Sequence, residues 1–555
     1  MKSFTGEKES VTAVEERFCN FRPGFFFGVL FSLGIVFSYF VIFDGASGWW
    51  ALLLLPIPVC AVIFYGVRLK TLVALLSLAV AFVLGFSLFS ARTQEFEDGK
   101  TIEGEYTVVG TVVEKWENDD YGAVVLSDIY IGEKPSDFKF TAYLSASFLK
   151  NIALSDRLVL RGFVRTLTDT YPDDGFLASE IADGKKYFSN AVESVQKAGE
   201  ETDLFLLVRA RIEEVVQAGM DEDSAALTLA LLLGNTSGIE EGMLENIRAG
   251  GIAHIFAVSG LHIAALYAFC RLLTDKTGFS RAPAWLRFVF VATVVLFYGG
   301  ICGFSSSVVR AIVMCLVTYL CRLLWINYDL LDSLGVAAAV VLCFSPTLLF
   351  EIGFQLSFTA CLGIGFLSGV IFRSLGGRAY WLNNLLIGKE ELAFRAKRKK
   401  RRVPLGVTAS VWKSFARVVS VSVAAQLGTL PVQLNAFGYL SGWGLLLNFF
   451  FVPLISAAFA FLLFLVLFTA LLPTAIAGVT LYVPAVIWSA LSLLFVAVDF
   501  SDFLLVGSMP FGATLAHYVF LLTLSDKLNV KGAKPIFVLL FLLLTLFAAF
   551  APYFI

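Results

Sequence analysis

Apolar runs long enough to cross a lipid bilayer recur from one end of the chain to the other. Three open the sequence, at 24–43, 49–67 and 71–91. A second block follows at 252–273, 286–302, 308–324, 334–348, 352–372, 411–436, 443–472, 475–498, 503–524 and 536–550. A helix needs about 20 such residues to span the hydrocarbon. Of 555 residues 58% are hydrophobic and 15% charged, against about 25% charged in an ordinary soluble domain. This excludes a soluble enzyme, a disordered chain and a disulfide scaffold. The expected fold class is a polytopic α-helical membrane protein of about 11–13 spans with one inserted β domain.

Charge divides the chain. Residues 92–203 hold 12 Lys+Arg and 22 Asp+Glu, a balance of −10, while the remainder holds 30 and 22, a balance of +8. Short runs rich in Val, Thr, Tyr and Leu at 106–116, 123–131, 138–144 and 157–164, separated by polar turns, predict strands. Four or five of them make a small OB-like barrel, with an appended turn and short helix or strand at 171–199. The connector 44–48 has no Lys or Arg, whereas the next carries Arg68 and Lys70. Lys and Arg favour the cytoplasmic side, so residues 1–23 are expected inside and the domain 92–203 outside. The 271–287 loop has four bases and one acid, and 389–402 has eight Lys+Arg in fourteen residues. Both are expected in the cytoplasm, an even number of crossings apart. The resulting layout is an N-terminal segment at 1–23, three spans in 24–91, the β domain at 92–203 and amphipathic or interfacial helices at 204–250. A helical block at 251–525 with a basic loop at 373–412 follows, then a last loop and span at 526–555.

Polar residues inside apolar runs are costly and face a cavity or a partner helix. Four groups stand out: His254, Ser259 and His262; Ser305, Ser306 and Ser307 followed by Arg310; Glu351, Gln355 and Ser357; and Gln426, Thr429, Gln433, Asn435 and Asn448 around Pro431 and Pro453. Ser259 and His262 share a face if their helix is continuous. Pro431 and Pro453 free carbonyls that can line a pathway. Each Ser, Asn or Gln can equally serve as interhelical glue; Arg310 is too costly to bury without a purpose. With three His and no CxxC in the chain, no metal or cofactor site is expected. Gly99-Lys100-Thr101 ends like a phosphate-binding loop, but Gln94 stands where its first Gly belongs, and it reads as a turn.

These patches carry a resemblance. HIFAVSGLH at 254–262, preceded by LALLLGNTSGI at 229–239, resembles the central motif of ComEC-type competence proteins, the inner-membrane channels of bacterial DNA uptake. GFSSSVVRA at 303–311, FQLSFTA at 354–360, QLGTLPVQL at 426–434 and LLLNFFFVPL at 445–454 match the same family in the same order. The resemblance implies an external OB-like domain, a helical pore and passage of single-stranded DNA into the cytoplasm during transformation. It also implies a helicase-like cytoplasmic motor and an extracytoplasmic DNA receptor as partners beside membrane lipid. Many members add a C-terminal metallo-β-lactamase-like domain with an HxHxDH signature. That signature does not occur here, so the expectation is a translocase that does not cut the strand, with a separate nuclease as a further partner.

A phosphate backbone cannot enter hydrocarbon, so passage needs a wet polar path. The expected lining is His254, Ser259, His262, Ser305, Arg310, Gln355, Gln426 and Asn448. Two other classes fit the same residues. One is a transporter of a smaller anionic solute or lipid. The other is an intramembrane serine hydrolase built on Ser259 and His262, although a base three residues along one helix seldom reaches its nucleophile in the needed geometry. The −10 balance of the β domain argues against strong phosphate binding there, and Arg157, Arg161 and Arg165 at alternate strand positions read as a solvated face.

Overall fold

The computed structural model describes residues 23–43, 69–98, 102–117, 121–132, 134–136, 138–149, 152, 156–167, 184–200, 204–276, 281–325, 330–376, 407–500 and 504–525. The expected spans at 49–67 and 536–550, the N-terminal segment before residue 23 and most of the basic loop lie outside them.

Helices α1 (Pro23–Phe43) and α2 (Leu69–Asp98) form an opening hairpin. They cross at Gly34 and Gly85, where an added Cβ would fall 2.1 Å from the carbonyl oxygens of Phe82 and Phe31. Lipid gives helices no hydrophobic drive to associate, so such close backbone approach supplies the packing instead.

The β domain follows: β1 (Glu103–Glu117), β2 (Tyr121–Ile131), β3 (Lys134–Ser136), β4 (Lys139–Ser145), a short α3 (Ala146–Leu149), β5 (Asp156–Thr166) and β6 (Lys185–Glu200). The strands run β1-β5-β6-β4-β2 and close by pairing β1 with β2, while β3 extends from β2 as a hairpin arm. The β4–β6 pair is parallel and the other pairs are antiparallel. This is a closed five-stranded barrel of the OB-like kind. Val108, Val112, Leu126, Ile129, Phe140, Leu158 and Leu160 fill it. Along β5 every second residue is buried, so Arg157, Arg161 and Arg165 stand on the outer face. The region expected as a turn with a short element contributes β6, a 16-residue strand that completes closure. Its charges mask the strand pattern: Asp156, 1% exposed, pairs across the β5–β6 seam with Lys197 at 2.6 Å.

The helical part comprises α4 (Leu204–Gly219), α5 (Glu222–Leu233), α6 (Glu241–Ala249), α7 (Ala253–Phe256), α8 (Gly260–Lys276), α9 (Ala284–Ile301), α10 (Ser306–Leu323), α11 (Leu330–Phe344), a 3-10 turn at Pro346–Phe350, α12 (Ile352–Gly376), α13 (Val407–Phe437), β7 (Tyr439–Ser441), α14 (Gly444–Ala470), α15 (Ala477–Thr480), α16 (Tyr482–Ala497), β8 (Leu504–Val506) and α17 (Phe511–Leu524). Among the described residues six helices are long and apolar enough to span a membrane, or eight if two bent pairs each count as one. The protein is a multi-pass membrane protein.

The expected span at 252–273 is not one helix. The backbone breaks between α7 and α8, and α8 starts only at Gly260. The short apolar segment before it, α5, is enclosed by the bundle, with every residue from Ser224 to Leu233 buried. Its Asp221 cap accepts the Ser224 amide at 3.2 Å and the Ser489 hydroxyl of α16 at 3.0 Å. Its C-terminal Leu232 carbonyl accepts the Tyr298 hydroxyl of α9 at 2.7 Å.

Helix α13 runs unbroken through Pro431. Proline cannot donate to the carbonyl four residues back, which leaves the Leu427 oxygen open. His517 Nε2 of α17 takes it at 2.8 Å, and the Tyr518 hydroxyl donates to Gly428 O at 3.0 Å. The freed carbonyl is therefore an interhelical joint. His517→Leu should cost about 1–2 kcal/mol in thermal unfolding of the detergent-solubilised protein. In a Pro431→Ala background, where the helix can close its own bond, that cost should largely vanish.

Candidate functional site

Three helix breaks meet at one cavity of about 1650 Å³. The turn after α5 supplies Gly234 to Ile239, the α7–α8 break supplies Ala257 and Val258, and the α9–α10 turn supplies Ile301 to Ser306. Leu348 and Glu351 add the approach to α12, and Phe205 and Arg209 of α4 close one flank. The barrel contributes Glu114, Lys115, Tyr121 and Lys139, so the cavity joins the β domain to the helical block.

Each wall follows from local chemistry. Gly234 ends α5 at φ 74°, a left-handed cap that suits glycine. Asn235 Oδ1 then accepts the Ser237 amide at 3.2 Å and its hydroxyl at 2.7 Å, an Asx-type turn. At the α9–α10 turn Gly303 and Phe304 are both left-handed, at φ 71° and 51°. For phenylalanine that conformation costs about 1–2 kcal/mol. The Phe304 amide still donates to Gly299 O at 2.9 Å, which caps α9. Ser306 opens α10 and donates its hydroxyl to Glu351 Oε2 at 2.8 Å.

The wall is mixed in charge. Lys115, Lys139, Arg209 and Arg248 face it with Glu114, Glu222, Glu240, Glu241 and Glu351. Several cations are engaged locally. Lys115 Nζ donates to Leu149 O at 2.8 Å and Ile152 O at 3.1 Å, Lys139 lies 3.8 Å from Glu114, and Arg209 3.5 Å from Glu213. Among the described residues no three His, Cys, Asp or Glu side chains gather as a metal site would require.

Of the eight residues singled out from the sequence, Ser305 lines the cavity and the others lie outside its lining. Arg310 is 6% exposed. Its Nη1 donates to Ser357 O at 2.5 Å and Cys361 Sγ at 2.9 Å, and its Cζ sits 5.6 Å from the Phe358 ring. Its Nη2 fills the space a Cβ on Gly260 would need. The cation ties α10 to α12 and packs against the first residue of α8. His262 is fully buried, with Nδ1 accepting the Ser259 amide at 3.0 Å and the ring 4.6 Å from that of Phe459. Ser259 Oγ lies 3.4 Å from Nδ1 and accepts the Leu261 amide at 3.3 Å. The pair caps α8, and the lone pair a general base would use holds a backbone N–H. His254 sits on α7. Gln355 Nε2 donates to Leu349 O at 3.2 Å. Gln426 Nε2 lies beside Gly444, which itself abuts Gly251, and Asn448 is buried on α14.

A family model described as Competence protein matches residues 231–530, more than half of the chain. The chain belongs to the competence protein family. ComE operon protein 3 of Bacillus subtilis (strain 168) is 26% identical over 299 residues, 53% of this chain and 32% of that protein. The match thus spans about a third of the relative's length. No solved structure matches. The family segment starts within α5 and carries the three helix breaks that line the cavity, while the barrel precedes it.

Sequence reasoning passed over Asn235, Thr236, Ser237 and Phe304 as individuals. The Gly-Asn-Thr-Ser run after a helix too short to span was the available signal for the first three. Asn246 was also missed: its amide donates to the carbonyls of Phe495 and Val498, and its Oδ1 accepts the Phe500 amide at 2.9 Å, which caps α16.

Arg310→Glu would set a carboxylate against the Ser357 carbonyl inside the bundle. It should destabilise the solubilised protein by about 3–5 kcal/mol. Ser305→Ala, on the open wall, should stay within about 0.5 kcal/mol of wild type in the same melt.

Proposed function

We propose that the protein conducts single-stranded DNA across the bacterial cell membrane into the cytoplasm during natural transformation. The observation that carries this reading is the cavity itself. It links an OB-like barrel to the breaks of the family's helical segment, and its wall offers hydroxyls, amides and charges of both signs. A strand slides only if each contact is weak enough to release it. Neutral groups such as Asn235, Thr236, Ser237 and Ser305 meet that need, and the locally paired cations hold phosphates only loosely.

The distribution of Lys and Arg supports a cytoplasmic N-terminus and an external barrel. The strand then enters past the barrel and reaches the helix breaks. A Cβ added to Gly234 would lie 3.2 Å from Val258 Cγ2, so the turn after α5 and the α7–α8 break lie close together there. The α7–α8 break is where the route inward opens. His254, Ser259, His262, Arg310, Gln355, Gln426 and Asn448 hold the surrounding helices in register and meet the strand beyond that point. A cytoplasmic motor draws the strand, an external receptor delivers it and a separate nuclease removes its complement.

Filling the cavity tests this. Ser237→Trp and Ser305→Trp should remove transformation while protein level and binding of external DNA persist, with the bound DNA still sensitive to added nuclease. Full transformation in both variants would exclude the cavity as the route. Intact transformation after deletion of the gene would favour transport of a smaller anionic solute or lipid.

A further inference from the structure

We propose that Phe304 is a stacking platform for one unpaired base of the strand in the cavity, an assignment that rests on the nucleic-acid reading above. An aromatic ring that only filled the bundle would be buried. Phe304 is instead 44% exposed on a wall rich in polar groups. Its backbone sits in the left-handed region directly after a left-handed Gly303, which bulky side chains avoid. Held strain of this kind points from the outlier to a use.

The surroundings fix the ring's attitude. Gly299 and Gly300 clear the space beside it: a Cβ on Gly299 would lie 3.0 Å from Phe304 Cε1, and one on Gly300 would lie 2.4 Å from Phe205 Cε1. Phe205 meets Phe304 edge to face, with centroids 6.4 Å apart and planes at 82°, and is itself braced by Phe297 at 5.9 Å. Ser305 and Ser306 follow in sequence with hydroxyls at the same wall. Sites that hold single strands without reading sequence combine an aromatic face for the base with polar contacts along the backbone. The charged wall, with Lys115, Arg209 and Arg248 among its members, fits a nucleotide better than an acyl chain.

The test uses the full chain in lipid nanodiscs and two labelled strands of equal length, oligothymidylate and an abasic strand with the same phosphates. Phe304→Asn removes the ring and accepts the left-handed backbone readily, so it should melt no lower than wild type. It should weaken oligothymidylate binding about tenfold or more and leave abasic binding unchanged, while Phe304→Trp retains both. Unchanged oligothymidylate binding in Phe304→Asn overturns the proposal, as does an equal loss for both strands or a wild type that does not distinguish them. Each of those leaves the nucleic-acid reading standing. Wild-type protein that binds neither strand removes both.

Discussion

Backbone groups at membrane depth have no water to turn to, so every helix that stops inside the bundle must hand its end groups to a partner. Much of this fold is the consequence. Tyr298 takes the Leu232 carbonyl at the end of α5, and Asn246 takes those of Phe495 and Val498 where α16 ends. Arg211 of α4 reaches Ala470 O at 3.1 Å and Leu472 O at 2.6 Å, where α14 ends. His517 takes the Leu427 carbonyl that Pro431 exposes, and Tyr518 takes that of the next residue, Gly428. Each joint links helices distant in sequence, so satisfying the backbone and assembling the bundle are the same event. The ends handled differently are the turns at 234–239, 257–258 and 301–306. Irregular backbone is tolerated at depth where it lines a cavity, and these three turns line one.

Arg310 shows how a buried cation can serve the same end. Among the described residues no ion pair with a carboxylate accompanies it. A carbonyl, a thiol and a ring face surround it instead. All three partners belong to α12, and the cation also seats the start of α8 through Gly260. Its position one turn below Ser306 joins the cavity wall to the α7–α8 break.

The spans at 24–43, 71–91, 286–302 and 308–324 were legible because apolar length alone decides them, and four barrel strands because short runs of Val, Thr, Tyr and Leu lie between polar turns. β6 was not, since Lys185, Lys186 and Lys197 sit where a strand pattern wants apolar residues; Asp156 on its neighbour answers Lys197. The 252–273 run reads as one helix because nothing apolar is missing from it. The break shows only through Ser259 and His262, whose three-residue spacing is a cap and not a shared face. Sequence marks where polar atoms are and is silent on which carbonyl each will meet, so Pro431 reads as a breaker until His517 is seen opposite. Phe304 is one of 55 Phe, and only its left-handed backbone and its place on the cavity wall distinguish it.

The carboxylate of Glu351 brings these threads together. A half-buried anion beside a proposed DNA route looks self-defeating, because it repels phosphate. Its setting explains how it is tolerated. Helix α10 begins at Ser306, whose hydroxyl bonds to it, and α12 begins at the very next residue, Ile352. Helix N-termini carry partial positive charge, and both of these open at the same wall. Glu351 lies within that field. The cavity wall as a whole carries four Lys and Arg and five Glu side chains. In the proposed conduit every nucleotide admitted must also be released, and a wall that mixes both signs of charge with neutral hydroxyls and a ring suits weak, reversible contacts.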